Sequence, residues 1–169
     1  ALYPADHPYN WQVIGSLEDL QNATLADVKE YYRRWYVPNN VTLIVAGDFD
    51  PVQAKKWVEK YFGEIKRGEE IKSLPKRAGF VKETVKFYHE DNFARVPALT
   101  MAWPAVEQLH PDSYALEVLA EYLSRGKKAP FNQVLVEDKK LTSNVSIGSQ
   151  TSELAGQFML NVQIGRAHV

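Results

Sequence analysis

Residues 31–50, YYRRWYVPNNVTLIVAGDFD, constrain the fold of this chain more than any other stretch. They pass from an amphipathic helical pattern through a Pro-Asn-Asn turn into a largely apolar run at residues 41–46, and then into an Asp-Pro helix start. An apolar run bounded by turn residues on both sides is too short for an ordinary helix, so it predicts a strand covered on both faces. The helices before and after it are expected to pack on that strand.

The composition excludes several classes of protein. The 169 residues are 45% hydrophobic and 12% aromatic, which is apolar enough for a folded core. The formal net charge is -1 with both signs mixed along the chain, which argues against a nucleic-acid groove. The chain has no cysteine and therefore no disulfide and no Cys-ligated zinc. No run approaches the about 20 apolar residues of a membrane helix, so no membrane insertion is predicted.

Two long helices flank the apolar run. The first is predicted to begin at Thr24, where Asp27 completes a capping-box variant, and to end before Pro38. The second is predicted to begin with Asp50 as its cap and to end at a glycine. Residues 64–79 are charged and contain two glycines and a proline, so they are interpreted as a linker.

The second half of the chain mixes strands with helices. Asp112 or Ser113 is predicted to cap a third long helix, and a fourth helix is predicted to contain Phe131 and Leu135. Four strands are predicted, at residues 84–89, 95–103, 145–149 and 157–163. This order predicts an α+β two-layer sandwich with helices on one face of a largely antiparallel sheet.

The chain carries no recognisable catalytic constellation. No two histidines have the spacing of a helical zinc site, and there is no nucleophile elbow or phosphate-binding loop. The four histidines are His7, His89, His110 and His168. His7 precedes a proline and is interpreted as a loop residue, and the basic loop at residues 126–128 as solvated. No catalytic or metal-binding residue is therefore predicted, and substrate-binding residues remain unassigned.

The order of several short motifs resembles one family. Residues 110–141 carry a helix that ends in Leu-Ser-x-Gly, followed closely by a second helix. The other motifs are His-Pro-Tyr at 7–9, Ile-Gly at 14–15, Leu-Ala-Asp-Val at 25–28, Tyr-Val-Pro-Asn-Asn at 36–40 and Gly-Asp at 47–48. In order and spacing they resemble the insulinase/pitrilysin family of zinc metallopeptidases over nearly the whole chain.

The resemblance implies that this chain is a piece of a longer protein whose metal site lies elsewhere. In that family zinc is held by an inverted H-x-x-E-H helix and a downstream Glu, all of which would lie upstream of residue 1. Residues 1–23 would then end the metal-bearing subdomain, and residues 24–164 would form the family's C-terminal-type subdomain. Residues 165–169 are unlike the family's continuation and are expected to be an unrelated tail, so His168 is not counted as a ligand.

The resemblance also implies partners. Family halves pair into a chamber that takes an extended peptide as a strand added to a sheet edge. A peptide or protein substrate and a second homologous half are therefore expected. Gln157 stands where the opposite half has an Arg, and no Tyr follows it, which favours the metal-bearing half. By the same resemblance, residues 126–130 lie where processing peptidases have a glycine-rich loop, but their sequence is not rich in glycine.

The expected function is thus a metal-free part of a zinc-dependent endopeptidase, inactive by itself, with the bacterial periplasm or another extracytoplasmic compartment favoured by the resemblance. Two alternatives stay open: a non-catalytic half or assembly subunit of the same family, and a self-contained α+β domain that binds a ligand. If covering layers are missing from the chain, Trp11, Trp35, Trp57 and the face of Tyr31 and Tyr32 are expected to be partly exposed.

Overall fold

The computed structural model describes residues 2–165, which fall into two compact units. Residues 12–73 form one unit, and residues 2–11 together with 74–165 form the other. The subdomain boundary predicted after residue 23 and the linker at residues 64–79 stay predictions. The predicted tail falls almost wholly on residues 166–169, which lie outside the described residues.

The unit of residues 12–73 consists of three α-helices, a 3-10 helix at Pro38–Asn40 and connecting segments. Thr24 Oγ1 accepts a hydrogen bond from the Asp27 amide at 3.3 Å, and Asp27 Oδ2 accepts one from the Thr24 amide at 2.9 Å. Asp50 Oδ1 accepts from the Val52 amide at 2.8 Å, and proline follows at the first helical position. Both predicted helix starts are confirmed. The helices are α1 Leu17–Asn22, α2 Leu25–Trp35 and α3 Pro51–Phe62.

The prediction of a doubly covered strand at residues 41–46 is wrong for this structure. These residues pair with no other strand among the described ones, and Ile44 is 82% exposed. A strand is stabilised only by a hydrogen-bonded neighbour and by layers that bury its side chains, and an apolar pattern supplies neither. The partial exposure predicted for Trp11, Trp57 and the tyrosine face of α2 is confirmed, with Tyr31 60% and Tyr32 62% exposed, whereas Trp35 is half-buried.

The other unit contains a three-stranded antiparallel sheet in the order β1-β3-β2. Its strands are β1 Ala98–Ala105, β2 Val145–Thr151 and β3 Gly156–Gln163. β1 begins just after Pro97, which has no N–H to donate to a ladder, and it includes Pro104, a residue typical of edge strands. The predicted pairing of the last two strands is confirmed.

The helices of this unit lie on one face of the sheet, as the fold class predicted. Helix α4, Pro111–Ser124, lies against β2, and a π-helix, Asn132–Asp138, follows it. The core consists of Val145, Leu160 and Val162, against which the partly buried Phe131, Leu135, Val136 and Ile147 pack. On the opposite face Thr100 Oγ1 donates to Asn161 Oδ1 at 2.8 Å. This is an α+β arrangement with an apolar, helix-covered face and a polar one.

Two local predictions in this unit need correction. His110, rather than Asp112 or Ser113, caps α4: its Nδ1 accepts from the Asp112 amide at 3.1 Å, because Pro111 takes the first helical position. The predicted fourth helix is present, and it forms as a π-helix. Residues 84–89 form no strand, although they run beside β1.

None of the helices within residues 2–165 combines the length and the apolar character needed to cross a bilayer.

Candidate functional site

An open groove of about 1020 Å³ lies between β1 and residues 81–88, and we call it the β1 groove. Among the described residues β1 pairs with β3 alone, so its other edge presents unpaired backbone donors and acceptors. Backbone groups of this kind are what an added extended segment would use.

The walls of the β1 groove are mainly apolar. Leu99, Met101 and Trp103 point to the same sheet face as Leu160, yet they remain 45%, 44% and 43% exposed. The helices cover β2 and β3 and leave this β1 stripe uncovered. The facing wall carries Val85 and Phe87, 51% and 77% exposed, together with Lys82, Glu83 and Lys86. The groove therefore suits an extended segment with apolar side chains at alternate positions.

The second candidate feature is a cluster of Tyr3, His7 and Tyr9, which we call the His7 clasp. His7 is fully buried. Its Nδ1 accepts from the Tyr9 amide at 3.0 Å, so the proton lies on Nε2, which donates to the Arg77 carbonyl at 2.9 Å. Both ring nitrogens are engaged, and neither is free to bind a metal or transfer a proton. The interpretation of His7 as a structural loop residue fits this geometry, whereas its complete burial was not predicted.

The two tyrosines tie the N-terminal segment to the turn between β2 and β3. Tyr3 stacks on His7 with ring centroids 4.6 Å apart, and its hydroxyl donates to the Gly156 carbonyl at 3.2 Å. The Tyr9 hydroxyl accepts from the Leu154 amide at 3.0 Å. Burial, and to a smaller extent the neighbouring Tyr9, raises the pKa of Tyr3, which keeps its hydroxyl protonated as a donor.

Two ion pairs lie beside the clasp. Arg77 Nη2 is 2.9 Å from Asp6 Oδ1, and Lys76 Nζ is 3.0 Å from Glu107 Oε1. The hydrogen bond from Arg77 lowers the pKa of Asp6, and the one from Lys76 lowers the pKa of Glu107. Both carboxylates are partnered by cations that lower their pKa, so neither has the raised pKa expected of a general acid.

Replacing Tyr9 by phenylalanine is expected to destabilise the chain by about 1–3 kcal/mol, because the Leu154 amide then loses its partner beside a buried turn. Leu154 and Ala155 are 6% and 1% exposed. The test is urea unfolding of Tyr9→Phe beside Tyr88→Phe, whose side chain is 93% exposed. Equal midpoints for the two variants would show that the Tyr9 hydroxyl is not an anchor.

The basic loop after α4 has a fixed backbone. Asn132 Nδ2 donates to the carbonyls of Ser124 at 2.7 Å and Gly126 at 2.9 Å, and Gln133 Nε2 donates to the Lys127 carbonyl at 2.6 Å. The lysines at positions 127 and 128 are exposed, as expected for solvated side chains. Within residues 2–165, no group of three or more His, Asp or Glu side chains is arranged to hold a metal ion.

Comparison with known proteins adds a consistent set of similarities. Residues 22–169 match the family model described as the peptidase M16 inactive domain. The chain is 30% identical over 142 residues to zinc protease PqqE of Helicobacter pylori, an alignment that covers 81% of this chain. It spans only 31% of that relative's length.

Solved structures share the fold. A peptidase M16 inactive domain from Pseudomonas fluorescens superposes with a TM-score of 0.75 at 21% identity, covering 98% of this chain and 40% of that one. The periplasmic protease PqqL from Escherichia coli superposes with a TM-score of 0.64 at 21% identity, covering 90% of this chain and 17% of that one. At these identities the superpositions support the α+β fold and nothing about substrate.

Proposed function

Because this chain belongs to the insulinase-type peptidase M16 family and matches its inactive domain, we propose that it is the metal-free part of a zinc-dependent endopeptidase. Zinc in the parent protein would be held by residues upstream of residue 1. The described residues of this chain do not fit the metal, since His7 uses both ring nitrogens in hydrogen bonds and His110 caps a helix. No catalytic step is assigned to this chain.

The role we propose for this part is a wall of the substrate chamber, with the β1 groove as the surface that meets the peptide. The single observation that carries this role is the coincidence of an unpaired strand edge with an uncovered apolar stripe. An extended peptide gains main-chain hydrogen bonds from the edge and side-chain burial from Leu99, Met101 and Trp103. Such a wall orients the substrate and leaves bond cleavage to the metal-bearing part.

The test compares two proteins: this chain, and the same chain extended upstream through the preceding domain. We expect zinc at about one ion per chain only in the extended protein, and peptide cleavage that stops when a chelator is added. Metal content is measured by mass spectrometry after dialysis against metal-free buffer. The control replaces the motif Glu of the upstream H-x-x-E-H with Gln, which should retain zinc and lose cleavage.

A non-catalytic half is the second candidate, and the inactive-domain match favours considering it. It predicts that the extended protein binds no zinc and cleaves nothing, while it still associates with a homologous half. Zinc binding with cleavage by the extended protein alone would rule this candidate out.

The compartment proposed for the parent protein is the periplasm or another extracytoplasmic space. The support is the resemblance of the sequence and the fold shared with a protease that is described as periplasmic. Fractionation of cells that express the full-length protein, with periplasmic and cytoplasmic marker enzymes as controls, tests this. Recovery of the protein with the cytoplasmic marker would refute it.

A further inference from the structure

Residues 81–88 run along the β1 groove opposite residues 99–104, yet they are not hydrogen-bonded to β1 as a strand. The two walls are chemically alike. Val85 and Phe87 are exposed apolar residues two positions apart, as are Leu99 and Met101 on the facing wall. Apolar residues at a spacing of two are typical of a strand with one buried face.

The short connection between residues 84–88 and β1 favours only one relative direction of the two segments. Residues 89–97 connect the two walls, and a parallel arrangement needs a crossover of a dozen or more residues. An antiparallel arrangement needs only a loop. Residues 84–88 would therefore add to β1 in the antiparallel sense.

The register follows from the sheet faces. Leu99 and Met101 lie on the apolar face, so Val85 and Phe87 must meet them to reach that face. When the midpoint of residues 81–88 is aligned with the midpoint of residues 99–104, Val85 lies opposite Met101 and Phe87 lies opposite Leu99. A slip of one residue would move Lys86 onto the apolar face, which strongly disfavours it.

The same register also satisfies the other face of the sheet. It places Lys86 beside Thr100, whose hydroxyl donates to Asn161 Oδ1 at 2.8 Å. Exposed Thr100 and Asn161 leave that face polar and open to water, so a lysine there keeps its ammonium solvated.

We propose that residues 84–88 are a strap that closes on β1 as a fourth antiparallel strand and fills the β1 groove. Closure would pair the free edge of β1 and place Val85 and Phe87 beside Met101 and Leu99. If the groove is the peptide-binding wall, a point that rests on the proposed function, the strap is an autoinhibitory element. A substrate peptide must then displace it to reach the edge.

The chain has no cysteine, so introduced cysteine pairs report closure without background. We expect the Val85→Cys/Met101→Cys pair to form a disulfide under mild oxidation at least about ten times faster than the control pair, because a disulfide requires Cβ atoms about 3.8 Å apart. The control is Lys86→Cys/Met101→Cys, whose side chains lie on opposite faces in the proposed register. Equal rates, or a faster control pair, would overturn the strap. Circular dichroism of the reduced variants verifies that both are folded.

A second measurement needs no cysteine. Amide hydrogens of residues 84–88 should exchange at least about ten times more slowly in the wild-type chain than in Phe87→Asp, since transient strand pairing protects them. Exposed residues 41–46 serve as an internal reference, and their exchange should be the same in both proteins. Equal exchange at residues 84–88 in the two proteins would refute closure.

The autoinhibitory role is tested separately, in the protein extended upstream. Cleavage of an extended apolar peptide by the oxidised Val85→Cys/Met101→Cys protein should be at least about ten times slower than cleavage by the same variant after reduction, because the β1 edge would be occupied. Unchanged cleavage in the oxidised state would refute autoinhibition and leave strap closure standing. Absence of cleavage in the reduced wild-type protein would instead count against the proposed function.

Discussion

Replacing His7 by alanine is expected to lower the free energy of unfolding by about 3–5 kcal/mol, through lost packing and two unpaired backbone groups. His7 is fully buried and stacks on Tyr3. Its removal leaves the Tyr9 amide and the Arg77 carbonyl without their partners. No other side chain named in the clasp replaces both contacts, so the loss is expected to be larger than that of Tyr9→Phe.

The measurement is urea unfolding followed by circular dichroism, with His89→Ala as the matched control. His89 is exposed, so its replacement should change the unfolding free energy by less than about 0.5 kcal/mol. Two further variants separate the contacts of the ring. His7→Asn keeps an acceptor near the Tyr9 amide, whereas His7→Gln keeps a donor near the Arg77 carbonyl, and each should recover part of the loss. A His7→Ala midpoint equal to that of His89→Ala would show that the clasp contributes nothing.

Replacing Leu160 by alanine is expected to destabilise the chain by about 2–5 kcal/mol, because it opens a cavity in the core. Leu160 is 5% exposed and lies on the central strand, between Met101 of β1 and Ile147 of β2. Phe131 and Leu135 pack against the same cluster from the helical layer. Because both neighbouring strands and the helices surround this side chain, its truncation leaves a cavity that the neighbouring residues cannot easily fill.

Thermal and urea unfolding of Leu160→Ala, compared with Gln163→Ala on the same strand, measures this cost. Gln163 is exposed, and its replacement should stay within about 0.5 kcal/mol of the wild type. If both variants unfold at the same denaturant concentration, the buried face of β3 is not the core of this unit. A loss confined to Leu160→Ala confirms the two-layer packing.

Local signals in the sequence predicted much of the secondary structure. The capping box at Thr24 and the Asp-Pro start of α3 depend on hydrogen bonds within four residues, and the structure has them. The alternation of Leu160 and Val162 with polar residues predicted β3 and its buried face, because side chains alternate between the faces of any strand. These features require no knowledge of what lies far away in the chain.

Predicting the cap of α4 failed at the same local level. Asp112 and Ser113 are residue types that cap helices often, and one of the two was therefore expected at the start of α4. Pro111 occupies the first helical position, however, and places His110 at the cap, where its Nδ1 accepts from the Asp112 amide. Pro111 is the local signal for this cap, because proline favours the first helical position and the residue before it is then the cap.

By itself, the sequence determined where α2 and α3 begin, which face of β3 is apolar, and the family to which the chain belongs, because these depend on near neighbours and on motif order. Only the tertiary structure decided that residues 41–46 and 84–89 form no strands here, since strand pairing requires a partner distant in sequence. It also decided the burial of His7, whose Nε2 reaches the Arg77 carbonyl 70 residues away. Contacts at such separations have no local pattern, and the β1 groove and the His7 clasp both depend on them.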